Sequence, residues 1–392
     1  MSDLVFDPFS YAMHEDPYPT YARLRAEAPA YRNPRLDLWA LSRHADVKAA
    51  FREWTRYSNR HGVALDRDAF NSEAERSASF LAMDPPRHDR LRALVSKGFT
   101  PRRVAELEPR VRVIAAEHLD AVRDRARWDA IDDFAGRLPM DVISEMLGIP
   151  RPDREPLRAW ADAVVHREEG VSGRTAAAGA AAREMMTYFA RMIAQRRARP
   201  GDDLTSALLV AEIDGDRLSD AEIMGFLFLM VIAGSETTTK LIGNALYWLW
   251  RNPAERARLR DDPARLPQWV EETLRYDNST QALARVATQD VELHGQRIRE
   301  GDMVVLLVGS ANRDEQIFTD PARYDILRDT TQTLAFGHGI HFCLGASLAR
   351  LEGRVALEEF WRRFPDYEID MAASSRVHSV NVRGFAHLTL ER

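Results

Sequence analysis

One long helical run in the middle of the chain sets the scale of the fold. Ser219-Asp220-Ala221-Glu222 has the form of a capping box, in which an alcohol and an acid three residues on satisfy each other's backbone N–H groups. The residues after it stay helix-compatible to about Trp250. At 1.5 Å per residue that helix is roughly 45 Å long, enough to cross a globular molecule. Its uncharged stretch over 223–235 is bracketed by Glu222 and Glu236 and falls short of the about 20 apolar residues a membrane span needs. The pattern predicts a buried core helix.

Apolar residues recur at helical spacing over 18–28, 45–54 and 102–125, the last opened by Thr100-Pro101 as cap and first-turn proline. Gly148-Ile149-Pro150 breaks the following helix, and the alanine-rich 176–182 suits another. Strand-like segments are fewer: 38–42, 291–293, 303–308 and a final pair near 377–390. No Gly/Ser linker interrupts the 392 residues. The length alone allows two or three domains, but the pattern predicts one mainly α domain, 1–392, with a smaller β-rich region. A net charge of −6 gives no reason to expect nucleic-acid binding. One cysteine excludes an internal disulfide, and the N-terminus lacks the basic and apolar parts of a signal peptide, so a cytoplasmic protein is expected.

That cysteine, Cys343, sits in Phe336-Gly337-His338-Gly339-Ile340-His341-Phe342-Cys343-Leu344-Gly345. An isolated Cys is usually a small buried hydrophobe. Here glycines on both sides let the backbone turn tightly against something flat. The start of a helix is expected to lower the thiol's pKa, because its free N–H groups favour the anion. A thiolate so placed can hold one iron from one side.

The string Phe-Gly-x-Gly-x-His-x-Cys-x-Gly resembles the haem-binding loop of the cytochrome P450 family. The resemblance implies that fold, with its long central helix, and haem b with Cys343 as the proximal iron ligand. Phe336 and Gly345 then belong to the cofactor shell. Ala233-Gly234-Ser235-Glu236-Thr237-Thr238 would by itself mark a helix kink or a close crossing. Beside the Cys loop it resembles the family's oxygen-activation motif, implying that Gly234 leaves room for dioxygen while Glu236 and Thr237 relay protons through water. Glu272-Thr273-Leu274-Arg275, with Arg323 in Asp320-Pro321-Ala322-Arg323-Tyr324, resembles the family's structural Glu-Arg-Arg triad, Tyr324 standing where Phe is usual. Buried propionates need cationic partners, and Arg285, His341, His88 and Arg92 fit the places where the family supplies them.

The resemblance spans nearly the whole chain and implies a monooxygenase that inserts one oxygen atom from O2 into a C–H bond of a hydrophobic small molecule. No flavin or iron–sulfur motif is present, so electrons are expected from a separate ferredoxin and ferredoxin reductase. Arg102, Arg103, Arg350, Arg354, Arg362 and Arg363 could form the docking face. Rival readings are a peroxide-driven hydroxylase, against which the acid–alcohol pair argues, and a non-catalytic haem sensor. Asn278, Ser279, Gln281 and Asn381 hint at an oxygenated substrate, unless they only satisfy turns. The Ala-rich stretch is a candidate lid.

Overall fold

The capping box forms: Ser219 Oγ accepts from Glu222 N at 3.3 Å, and Glu222 Oε2 accepts from Ser219 N at 2.8 Å. The helix it opens, Asp220–Arg251, runs unbroken for 32 residues through the centre of the molecule. In this computed structural model, which describes residues 4–171, 173–213 and 215–391, its most apolar window is 61% buried inside the protein. It is a core helix. Helices Arg137–Leu147, Arg151–Val165, Ala176–Ala198, Leu266–Tyr276 and Ala346–Arg363 pack around it. Helices account for 53% of the structure, so the mainly α reading holds.

Helix boundaries follow local chemistry. Gly148 ends Arg137–Leu147 in the left-handed region at φ +77°, a conformation that costs glycine nothing. The run expected over 102–125 divides at Leu107 into Pro101–Glu106 and Glu108–Ala121. Pro109 has no N–H to carry the ladder across that point. The alanine stretch forms the first turns of Ala176–Ala198, with Thr175 Oγ1 accepting from Ala178 N at 3.0 Å.

A five-stranded sheet lies beside the helical body in the order Ala30–Asn33, Leu38–Leu41, Met303–Leu307, Ala282–Ala287, Tyr57–Ser58. Leu38–Leu41 and Met303–Leu307 run parallel, and the other neighbours antiparallel. In a second sheet Phe385–Glu391 is the central strand, pairing with Glu368–Arg376 on one side and Arg127–Asp129 on the other. The expected pair near 377–390 is therefore corrected: its first strand lies earlier, and 377–384 is the turn. Glu368–Arg376 is mostly exposed, so it lacks the apolar alternation by which a strand is recognised.

Candidate active site

The loop before helix Ala346–Arg363 presents Cys343. A hydrogen bond from Cys343 N to Phe336 O at 2.9 Å closes the loop at its base. Gly339 adopts φ +73°, and a Cβ there would stand 2.7 Å from Phe51 O, so no other residue fits the turn. Gly345 N–H points at the sulfur, and Arg92 and Arg350 lie near it. Cys343 keeps accessible surface, yet the protein crowds around it, and burial pushes its thiol up despite those three influences. The expected lowering of the thiol pKa is thus corrected. Helix N–H groups do not outweigh desolvation until a cation binds the sulfur.

The four predicted cations come together around this loop. Arg285, on strand Ala282–Ala287, is 2% exposed, and its Nη1 donates to Ala284 O at 2.7 Å. Burial pulls it down to about 10, with Asp84 opposing. His88 and His341 meet at a ring separation of 4.4 Å, and Arg92 Nη2 donates to Phe342 O at 2.6 Å. Burial first, then Arg285, His88 and Arg92, drives His341 down to about 2. His88 Nε2 and both ring nitrogens of His341 are buried without a well-formed hydrogen bond, a weakly placed Met83 carbonyl aside. Leaving a buried polar atom unpaired costs about 1–3 kcal/mol. Cations crowded together with orphaned nitrogens are what an anionic group would satisfy, and two propionates beside a thiol ligand fit that donor set.

The central helix carries a short, partly open stripe at its middle. Ile232, Ala233, Gly234 and Thr237 are only partly buried, whereas Ser235 and Glu236 between them and Thr238 after them are buried. A Cβ on Gly234 would make only ordinary contact with Ile143, at 3.6 Å. The protein's own packing therefore does not demand glycine there. Thr237 Oγ1 donates to Ala233 O at 2.8 Å, and Ser279 Oγ donates to Thr237 O at 2.6 Å. Glu236 lies 3.4 Å from Lys240 Nζ.

The triad forms with a different second arginine. Arg275 Nη2 and Nε reach Glu272 at 2.7 and 2.8 Å, but the second guanidinium is Arg328, whose Nε stands 3.4 Å from Glu272 Oε1. Arg323 is 61% exposed and pairs with Asp320 and Asp325. Asn312 O accepts from Arg275 while Asn312 Oδ1 accepts from Leu334 N at 2.7 Å, which ties the triad to the segment preceding the Cys loop. Tyr324 is satisfied by Thr273 Oγ1 at 2.7 Å.

Two further expectations change. The donors of the supposed substrate-facing amides are taken up by turns: Gln281 Nε2 donates to Asn278 O at 2.8 Å, Asn381 Nδ2 to Ala282 O at 2.9 Å, and Asn278 Nδ2 to Thr280 O. The docking arginines are largely neutralised as well. Arg350 pairs with Glu271, Arg354 with Glu108 and Glu358, Arg362 and Arg363 with Glu359, and Arg102 with Glu106. The sequence reading missed Arg328, Lys240 and Asp162, because no spacing rule shows which distant side chains reach a given acid.

A haem-thiolate protein is the class that this helical fold and this site define. Residues 174–371 match the family model described as cytochrome P450, and the chain belongs to that family. It is an enzyme, a cytochrome P450 monooxygenase, with haem b as cofactor. It is 56% identical over 99% of its length to 97% of "Putative cytochrome P450 123" of Mycobacterium tuberculosis. It is 39% identical over 97% of its length to 95% of a vitamin D(3) 25-hydroxylase of Pseudonocardia autotrophica. The crystal structure of CYP109E1 from Bacillus megaterium in complex with testosterone superposes with a TM-score of 0.90 at 35% identity, covering 97% of this chain and 99% of that one.

Proposed function

We propose that the enzyme hydroxylates a steroid-sized hydrophobic molecule in the cytoplasm, with electrons from a separate ferredoxin and its reductase. The observation that carries this reading is the meeting of a lone thiol with two arginines and two histidines, three of whose ring nitrogens lack a well-formed hydrogen bond. The whole chain is read as one haem domain. Cys343 holds the iron, Arg285 and Arg92 supply charge to the propionates while His341 and His88 hydrogen-bond them, and Phe336 and Gly345 complete the shell around the sulfur. Bound haem supplies the reductive activation of O2: with two electrons and two protons, one oxygen atom enters the substrate C–H bond and the other leaves as water. Gly234, with no side chain, would leave room for dioxygen beside the central helix. Thr237 orders water with its hydroxyl, which a χ1 rotation frees from Ala233 O. Glu236 holds and passes protons toward that water.

A steroid-like substrate is supported by two similar proteins, one named as a vitamin D(3) hydroxylase and one crystallised with testosterone. With the donors of Asn278, Gln281 and Asn381 tied into turns and that of Ser279 into the central helix, shape and apolar contact select the substrate here. Titration of the purified haem protein with testosterone, vitamin D3 and palmitate tests this. Steroidal ligands are expected to expel the iron's water and shift its spin state. Turnover under labelled O2 with NADPH, ferredoxin and reductase should then place one labelled oxygen in the product. A shift with palmitate alone, or an unlabelled product, contradicts the proposal.

A further inference from the structure

Glu236 belongs to a cluster that reaches toward water. Its carboxyl is 3% exposed and lies 3.4 Å from Lys240 Nζ, one turn along the helix and equally buried. The stem of Lys240 lies on Gly384, where a Cβ would come 2.5 Å from Lys240 Cβ. From helix Arg151–Val165, Asp162 hydrogen-bonds the Glu236 carboxyl. A hydrogen bond between two carboxyls requires a proton on one of them. Protein flanks Asp162 on most sides, yet 47% of its side-chain surface stays accessible, so it is the wet end of the pair. The other charges nearby are Arg158, 3.7 Å from Asp162, and the acids that Arg158 also pairs with, Asp132 at 3.2 Å and Glu155 at 2.8 Å.

Electrostatics decide where the proton rests. Burial, followed by the charge of Glu236, pushes Asp162 up to about 8. Burial would raise Glu236 too, but Lys240 and the Asp162 hydrogen bond hold it below the usual carboxylate range. Glu236 Oε2 has Lys240 Nζ beside it at 3.4 Å but no well-formed hydrogen bond, which leaves that oxygen able to receive a proton.

We propose that Asp162 is a positioning residue for Glu236, holding the pair's shared proton and reloading Glu236 from water. The proposal rests on the reading of Glu236 as the proton carrier. In each transfer the Asp162 proton moves to the Glu236 carboxylate, Glu236 passes it inward, and the Asp162 carboxylate takes a proton from water. Lys240, 3.4 Å from its carboxyl, keeps Glu236 the more acidic member.

Infrared difference spectra of the resting haem protein test this independently of turnover. The wild type is expected to show a carboxylic-acid carbonyl band that disappears as pH rises through about 8; Asp162→Asn should lack that band and Asp162→Glu restore it. In turnover, product formed per NADPH should fall in the wild type over the same pH range. In Asp162→Asn it should be about tenfold lower at neutral pH, less than the roughly 100-fold minimum for losing a general acid outright, and its pH profile should lose that inflection. An unchanged band and profile in Asp162→Asn overturn the proposal. Should Asp162→Asn not accumulate, a wild-type band indifferent to pH between 6 and 9.5 overturns it equally. If Glu236→Gln uncouples turnover and Asp162→Asn does not, this proposal alone falls; if Glu236→Gln leaves coupling intact, the reading of Glu236 falls with it.

Discussion

At Glu272 a fully buried carboxylate is held by two guanidiniums and by the Asp325 N–H at 2.9 Å. Removing one partner of such a group leaves charge uncompensated in a dry setting. Arg328→Ala is therefore expected to destabilise the haem protein by about 3 kcal/mol, read as a lower urea midpoint at unchanged slope. Arg323→Ala, on an exposed pair, should change stability by less than about 0.5 kcal/mol. Equal effects would contradict the assignment of Arg328. The two arginines lie five residues apart across one turn, and linear spacing does not distinguish them. What does is the chain between them: Ile326 is fully buried while Leu327 is 48% exposed, and this turns Arg328 inward. The Cys loop was legible because few residues could do its work, a glycine against Phe51 O and a thiol among cations. Asp162 was not, since an acid on an amphipathic helix looks the same whether it faces water or another acid.

Among the elements, the N-terminal helix Tyr18–Glu27, the central helix and the turn near 383 converge on Asp277. Tyr18 Oη donates to its carboxylate at 2.5 Å, Trp248 Nε1 at 2.8 Å and Arg383 Nε at 2.7 Å. Burial works to raise Asp277, but Arg383, Arg376 and Arg313 hold it down to about 2. On acidification the unfolded carboxyl binds a proton first, near 3.8. The hub's contribution of about 2 kcal/mol is thus present above that pH and is lost as pH falls toward 2. Asp277→Asn should remove this part of the acid sensitivity in urea titrations between about pH 4.5 and 2. An unchanged pH slope would contradict the role of the hub. The long helix was the most legible element, because its cap and its apolar content agree. The edge strand Glu368–Arg376 was the least legible, since water on most of its surface erases the pattern.

Over the whole molecule, the arms once expected to form a basic docking face are bound to acids, leaving Arg103 without an ion pair among the described residues. Helix Pro101–Glu106, which carries it, packs against the helix that follows Cys343. Arg103→Glu is accordingly expected to slow ferredoxin-driven turnover several-fold at low salt, with the difference shrinking as salt screens it, and to leave the haem spectrum unchanged. A salt-independent defect would contradict electrostatic docking. That prediction presupposes that one sulfur holds a porphyrin against the cluster of Arg285, His341, His88 and Arg92. The direct measurement is the absorption spectrum of reduced, carbon-monoxide-treated protein, taken for the parent and for Cys343→Ser at matched haem content. The parent should give the red-shifted Soret band of thiolate ligation and the variant should lose it. The same band in both proteins, or a parent that takes up no haem when haem is supplied, would contradict the account.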